Sequence, residues 1–108
     1  MSTVTTDSPM LTHGPVRLHP GRWRAWAHGQ ELKLTPTEFR ILRALLLDPH
    51  RVRTKDELLR HIWGPSRTRA RTLDSHAQRL RMVLRGAGVQ NVIINVWGVG
   101  YRYADEPA

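Results

Sequence analysis

The sequence predicts an α+β domain with a small N-terminal antiparallel sheet, three helices and a C-terminal β-hairpin. Three observations lead to this fold class. Two helix starts share the same capping pattern, a long two-faced helix follows them, and a glycine turn joins two β-rich segments near the C-terminus. The 108 residues contain no cysteine, and 40% of them are hydrophobic, which is enough for one core.

The first strands are short. Residues 1–13 are rich in Ser and Thr and lack periodicity, so we predict a disordered tail there. Three segments separated by turn signals are predicted strands: Val16–His19, Trp23–His28 and Glu31–Leu34. The folded domain is predicted to span residues 14–105, with residues 106–108 as a second tail.

Both short helices begin with a capping box. Thr35 is followed by Pro36 and, three residues after the cap, by Glu38. Thr54 and Glu57 repeat the pattern at the second helix. Apolar residues recur at helical spacing after each box, and an Asp-Pro pair and a Gly-Pro pair end the two helices.

The third helix, predicted over residues 70–85, has two different faces. One face is apolar and predicted to be buried: Leu73, Ala77, Leu80 and Leu84. The opposite face is mainly polar and is flanked by arginines: Arg71, Ser75, Gln78 and Met82, with Arg79 and Arg85 at its edges. The helix is therefore expected to pack by one face and to present the other outward.

The C-terminal segment is predicted to be a hairpin. Val92–Val96 is a strand, Trp97–Gly100 is a turn, and Tyr101–Tyr103 is the returning strand. The predicted order is therefore β-β-β-α-α-α-β-β. This order is the winged helix-turn-helix plan, in which the long helix fits the major groove of DNA and the hairpin, or wing, reaches the adjacent backbone or minor groove.

The charge of the chain also favours a nucleic-acid partner. Lys plus Arg is 17 and Asp plus Glu is 9, which gives a formal net charge of +8. Residues 51–85 contain ten of these basic residues and three acidic ones. A genome with high G+C content would explain why Arg outnumbers Lys, but not the net charge. Such a basic cluster is typical of nucleic-acid binding.

The sequence contains none of the motifs that would indicate an enzyme or a metal site. Glu38 and Glu57 are assigned to capping, and there is no phosphate-binding glycine loop, nucleophile elbow or paired histidine spacing. We therefore predict no enzyme activity, no cofactor and no metal. No stretch approaches the roughly 20 apolar residues of a membrane span. The expected location is the cytoplasm, in association with the nucleoid, without a membrane partner.

Four blocks of the sequence resemble the OmpR/PhoB-type effector domains of response regulators. They read LTPTEF at residues 34–39, ELLRHIWG at residues 57–64, RTLDSHAQRLR at residues 71–81 and GVGYR at residues 98–102. The four blocks occur in the family's order, and the resemblance covers roughly residues 15–104. The resemblance implies a transcription factor that binds direct-repeat DNA, often as a head-to-tail pair. The family usually has an N-terminal receiver domain, for which we expect no room in these 108 residues.

The resemblance and the helical phase together indicate which residues contact DNA. Arg79 lies nearest the base-reading position and Arg71 nearest the backbone. The full predicted set is Lys55, Trp63, Arg71, Thr72, Ser75, His76, Gln78, Arg79, Arg81, Trp97, Gly98, Tyr101 and Arg102. In the family the preceding loop touches RNA polymerase, which here implies Pro65, Ser66, Arg67, Thr68 and Arg69.

Asp74 and Trp97 each allow two interpretations. Asp74 either accepts from a cytosine or orients Arg71 or Arg81, and we favour the orienting role. Trp97 stands where many relatives have arginine, and it either stabilises the hairpin or forms a wing tip that packs on DNA.

Two alternative functions also remain: a winged-helix protein-interaction module and an RNA-binding domain. A protein-interaction module would lack the basic outward face. An RNA binder would more often present exposed aromatic residues on a sheet.

Overall fold

The computed structural model describes residues 10–63, 70–90 and 92–104, and it describes the side chains of the third helix from Leu73 onward. The elements are β1 (Leu11–His13), β2 (Val16–His19), β3 (Arg24–Ala27), β4 (Gln30–Glu31), α1 (Pro36–Leu46), β5 (Arg53–Thr54), α2 (Lys55–Trp63), α3 (Ala70–Gly86), β6 (Ile93–Val96) and β7 (Gly100–Tyr103). Three helices and two antiparallel sheets confirm the predicted fold class.

The N-terminal sheet has four strands in the order β1-β2-β3-β4. The predicted tail is wrong for residues 11–13, because Leu11 pairs with Leu18 of β2 across a tight turn. Residues 1–9 lie outside the described part of the chain. The sheet therefore begins one strand earlier than the sequence pattern predicts.

The second and third predicted strands are shorter than expected. Strand β3 pairs with β4 through a two-residue loop, His28 and Gly29, both of which have positive φ, as type I′ turns require. Strand β4 ends at Glu31 rather than Leu34. The chain after β4 leads directly to the Thr35 cap of α1, so it leaves the sheet while Leu32 still packs in the core.

Both predicted capping boxes are present. In α1 the Glu38 amide donates to Thr35 Oγ1 at 3.2 Å, and the Thr35 amide donates to Glu38 Oε1 at 3.1 Å. The same pair of bonds joins Glu57 and Thr54 at the start of α2, at 3.1 and 2.9 Å. Arg40 of α1 then donates to the Ile62 carbonyl in the last turn of α2 at 3.1 Å, which ties the two helices together.

Helix α3 ends in a Schellman motif. The Gly88 amide donates to the Arg85 carbonyl at 3.0 Å, and the Val89 amide donates to the Leu84 carbonyl at 2.9 Å. Gly88 has φ +88, which is the left-handed conformation that this motif needs. Buried Val89 then leads the chain back toward β6.

The C-terminal sheet has three strands in the order β5-β7-β6. The hairpin of β6 and β7 confirms the predicted wing. The sequence pattern did not indicate β5, which pairs Arg53 with Tyr101 and Thr54 with Gly100. This two-residue strand attaches the wing to the start of α2.

One core joins the three helices to both sheets. It includes the apolar face of α1, the stripe of α3, Val16 and Leu18 of β2, and Tyr101 and Tyr103 of β7. Across the described ranges, no helix is both long and apolar enough to cross a membrane.

Candidate nucleic-acid interface

Helix α3 presents the polar face that its helical phase predicts. The four stripe residues are at most 1% exposed: Leu73, Ala77, Leu80 and Leu84. On the other side, four residues are exposed: Ser75, Gln78, Arg79 and Met82. The prediction of two faces is therefore confirmed from Leu73 onward. The side chains of Arg71 and Thr72 lie outside the described residues.

Asp74 joins α3 to the wing and to α2. Its carboxylate accepts a hydrogen bond from the Tyr101 hydroxyl of β7. Lys55, at the start of α2, donates to the same carboxylate, with 3.3 Å between Nζ and Oδ2. Helix α3, strand β7 of the wing and the start of α2 thus meet at one carboxylate.

The expectation that Asp74 orients Arg81 is wrong. The Arg81 guanidinium instead donates to Gln78 Oε1 at 2.7 Å and to the Ile93 carbonyl of β6 at 3.3 Å. Arg81 is therefore held between its own helix and the wing. The Gln78 side chain, whose oxygen accepts from Arg81, has its amide nitrogen as the remaining donor.

Tyr101 is buried, so the prediction that it contacts DNA needs correction. Its side chain is in the core, with the residue only 3% exposed. Burial and the hydrogen bond to Asp74 raise the pKa of Tyr101 above its ordinary value, so the hydroxyl remains a donor. The residue supports the wing from inside and is not part of the outer surface.

We expect Tyr101→Phe to lower the free energy of unfolding by about 1.5–3 kcal/mol, the usual range for a hydrogen bond to a charged group. Urea unfolding at neutral pH measures the change. Asp74→Asn is the matched variant, because it keeps an acceptor for Tyr101 while removing the charge. If Tyr101→Phe and the wild type have the same midpoint urea concentration, the hydrogen bond does not stabilise the wing.

The tip of the wing is an exposed tight turn. The Val99 amide donates to the Val96 carbonyl at 2.9 Å, and Gly98 adopts φ +76. Trp97 is 89% exposed, which favours the wing-tip interpretation over packing within the hairpin. The Lys55 amide donates to the Val99 carbonyl at 3.1 Å, so the turn is held against the start of α2.

The remaining predicted residues differ in their placement. Arg102 is half-buried and pairs across the hairpin with Ile94, and His76 of α3 is also half-buried. Trp63 is the last residue of α2, but its side chain is outside the described set. The predicted polymerase-contact loop, Pro65–Arg69, falls entirely outside the described residues.

Arg79 has a neighbour that the sequence pattern did not indicate. Its side chain is 69% exposed, and its Nε lies 3.7 Å from Oε2 of Glu38 in α1. The capping pattern assigned Glu38 to the helix start alone. No local spacing relates positions 38 and 79, so only the packing of α1 against α3 brings them together.

Comparisons with known proteins agree with this geometry. The family described as "Transcriptional regulatory protein, C terminal" matches residues 29–103. The chain is 36% identical over 103 residues to the phosphate regulon transcriptional regulatory protein PhoB of Shigella flexneri, which covers 90% of the chain and 45% of that protein. The chain thus spans less than half the length of this relative.

Solved structures show the same fold. The DNA-binding domain of the response regulator AdeR, in complex with an intercistronic region, superposes with a TM-score of 0.80 at 32% identity, covering 89% of this chain and 99% of that domain. The DNA-binding domain of CpxR from E. coli gives a TM-score of 0.78 at 29% identity, covering 91% and 98%. With its capping boxes, two-faced α3 and wing, the chain belongs to the OmpR/PhoB-type family of C-terminal DNA-binding domains of transcriptional regulatory proteins.

Proposed function

We propose that this domain binds double-stranded DNA in a sequence-specific manner and thereby regulates transcription. The observation behind the proposal is the exposed polar face of α3, opposite its buried stripe. An α-helix about 10–12 Å in diameter fits a major groove about 12 Å wide. The net charge of +8 supports an anionic partner.

In this proposal, residues in the middle of α3 contact the bases. Arg79, Gln78 and Ser75 are exposed there. The Arg79 guanidinium matches guanine O6 and N7, and the free amide donor of Gln78 suits a base acceptor. Arg81, which is held by Gln78 and β6, contributes positive charge at the edge of this face. His76 is proposed to contact a phosphate, and Arg71 and Thr72 remain predicted DNA contacts from the sequence, since their side chains lie outside the described residues.

The wing is proposed to contact the DNA beside the groove. Trp97 at the exposed tip offers a large apolar surface to a sugar or a base edge, and Gly98 lets the backbone approach closely. Two basic residues are close to this turn: Arg102 lies on β7, and the Lys55 amide donates to the Val99 carbonyl. They suit phosphates, which fix position without reading the sequence.

Partners beyond DNA are proposed from the family alone. The loop at residues 65–69 would contact RNA polymerase, and two copies would bind a direct repeat head to tail. Binding to DNA would also place the protein in the cytoplasm, at the nucleoid. The relatives are named as transcriptional regulators, which supports a regulatory role for the whole protein.

The first test is the salt dependence of duplex binding. We expect the logarithm of the affinity to fall linearly with the logarithm of salt concentration, with a slope of about −0.9 per phosphate contacted. About six contacts would lower the affinity roughly 1,000-fold between about 50 and 200 mM salt. Fluorescence anisotropy with a labelled duplex selected from a random pool measures this slope.

The same titration separates the alternatives when it includes duplex RNA, single-stranded DNA and a scrambled DNA duplex. Sequence-specific DNA binding requires the selected duplex to bind more tightly than all three. Tighter binding of RNA or of single strands would support an RNA-binding function. A slope near zero, or no binding, would contradict the proposed function and favour a protein-interaction module.

A further inference from the structure

Glu38 is a buried carboxylate with one oxygen committed to helix capping. Oε1 accepts from the Thr35 amide at 3.1 Å, and the residue is 1% exposed. The other oxygen, Oε2, has no hydrogen-bond partner among the described residues. A buried anionic oxygen without a donor is costly, so a nearby cation matters to it.

The cation beside Oε2 comes from the outward face of α3. Arg79 Nε lies 3.7 Å from it, while the Arg79 side chain as a whole stays 69% exposed. Because Nε is the nitrogen nearest to Oε2 and most of the side chain is exposed, the terminal Nη1–Nη2 edge remains accessible. That edge is the part of an arginine that pairs with guanine O6 and N7.

The second capping box shows that this arrangement is not a general consequence of capping. Glu57 occupies the same place at the start of α2, and its Oε1 accepts from the Thr54 amide at 2.9 Å. Its Oε2, however, accepts from Arg51 at 2.9 Å on the surface. The two boxes are locally alike, but only the first one contacts a residue proposed to read bases.

We propose that Glu38 is a positioning residue for DNA recognition: its second carboxylate oxygen holds Arg79 by Nε and leaves the terminal nitrogens to meet a base. This inference rests on the proposed DNA-binding function. A free arginine side chain must lose its rotamer freedom when it binds, whereas a restrained one has lost part of it beforehand. Glu38 therefore raises sequence selectivity without touching DNA.

Glu38→Gln tests the proposal with little disturbance of the fold. Glutamine keeps the capping acceptor for the Thr35 amide, because Glu and Gln both suit this position of the box. Its NH2 group then faces Arg79 in place of an acceptor. Glu57→Gln is the matched control, since it makes the same chemical change at the same position of the other box and changes the net charge equally.

The readout is the ratio of affinities for the selected and the scrambled duplex at one salt concentration. We expect Glu38→Gln to lower this ratio about 2- to 10-fold, the effect of losing the restraint on one arginine side chain. Affinity for the scrambled duplex should stay equal or rise, because a negative charge has been removed. Glu57→Gln should leave the ratio unchanged. In an Arg79→Ala background, Glu38→Gln should have no further effect on it.

The outcomes distinguish the inference from the function it rests on. If the wild-type protein does not prefer the selected duplex, the proposed function fails. If the wild type selects, Arg79→Ala loses selectivity and Glu38→Gln behaves like Glu57→Gln, the positioning role is overturned while the function stands. Should Glu38→Gln fail to fold, NMR of the wild type decides. Relaxation of the Arg79 Nε–H signal, identified by its loss in Arg79→Lys, should show a more restricted side chain than that of exposed Arg85, and equal mobility of the two contradicts the proposal.

Discussion

Arg79→Ala should lower the affinity for the selected duplex about 5- to 140-fold, which corresponds to the loss of about 1–3 kcal/mol for one bidentate base contact. The scrambled duplex should lose much less, because it offers no matching guanine. The reason is geometric: Arg79 is exposed in the middle of the outward face of α3, beside Gln78 and Ser75. Affinities for both duplexes at three or more salt concentrations measure the difference.

Arg102→Ala provides the comparison for this result. Arg102 is half-buried on the returning strand of the wing, where a phosphate contact is proposed. Its loss should weaken both duplexes by similar factors and reduce the salt slope by about 0.9. If Arg79→Ala also lowers the affinities for the two duplexes by equal factors, α3 does not read bases through Arg79.

Gly100→Ala should be among the most destabilising single changes in the wing. A Cβ at Gly100 would overlap the carbonyl oxygen of Arg53 and approach the Thr54 Cα to 2.8 Å. Both are backbone atoms of β5, so the steric overlap can be removed only by separating β5 from β7. We expect a loss of about 1–3 kcal/mol or more in unfolding free energy, the range for overpacking. Thermal unfolding should show a Tm lower by at least about 4 °C.

Gly86→Ala is the matched control for the wing. It makes the same substitution at the end of α3, where an added Cβ would have no atom within 4 Å. Alanine is the better helix former, so the Tm should stay equal or rise slightly. A Gly100→Ala variant that unfolds at the same temperature as Gly86→Ala would show that β5 and β7 tolerate a wider separation.

The helices could be predicted from the sequence because their signals are local. A capping box lies within four residues, and the buried stripe of α3 follows from helical spacing alone. Strand β5 could not be predicted, because two residues have no alternation and become a strand only by pairing with β7. The sequence pattern does not predict a strand at residues 11–13 for the same reason, since that strand depends on pairing with β2.

The candidate site was predictable in its location but not in its inner contacts. The helical phase of α3 placed Ser75, Gln78 and Arg79 on the outer face, as the structure has them. The motif that suggested Tyr101 as a DNA contact does not distinguish a surface tyrosine from a buried one that supports the wing. The Asp74 and Glu38 contacts join positions 19 or more residues apart, so they depend on tertiary packing.

The attachment of the wing to α2 has a consequence for the DNA sequences that this domain can accept. Strand β5 pairs with β7, the Lys55 amide bonds to Val99, and Asp74 of α3 bonds to Tyr101. The distance between α3 and the wing tip is therefore set inside the protein. Inserting one base pair between their two targets would shift one of them by about 3.4 Å along the duplex. Binding sites should accordingly vary in base identity at uncontacted positions but keep a constant spacing between the two contacted segments.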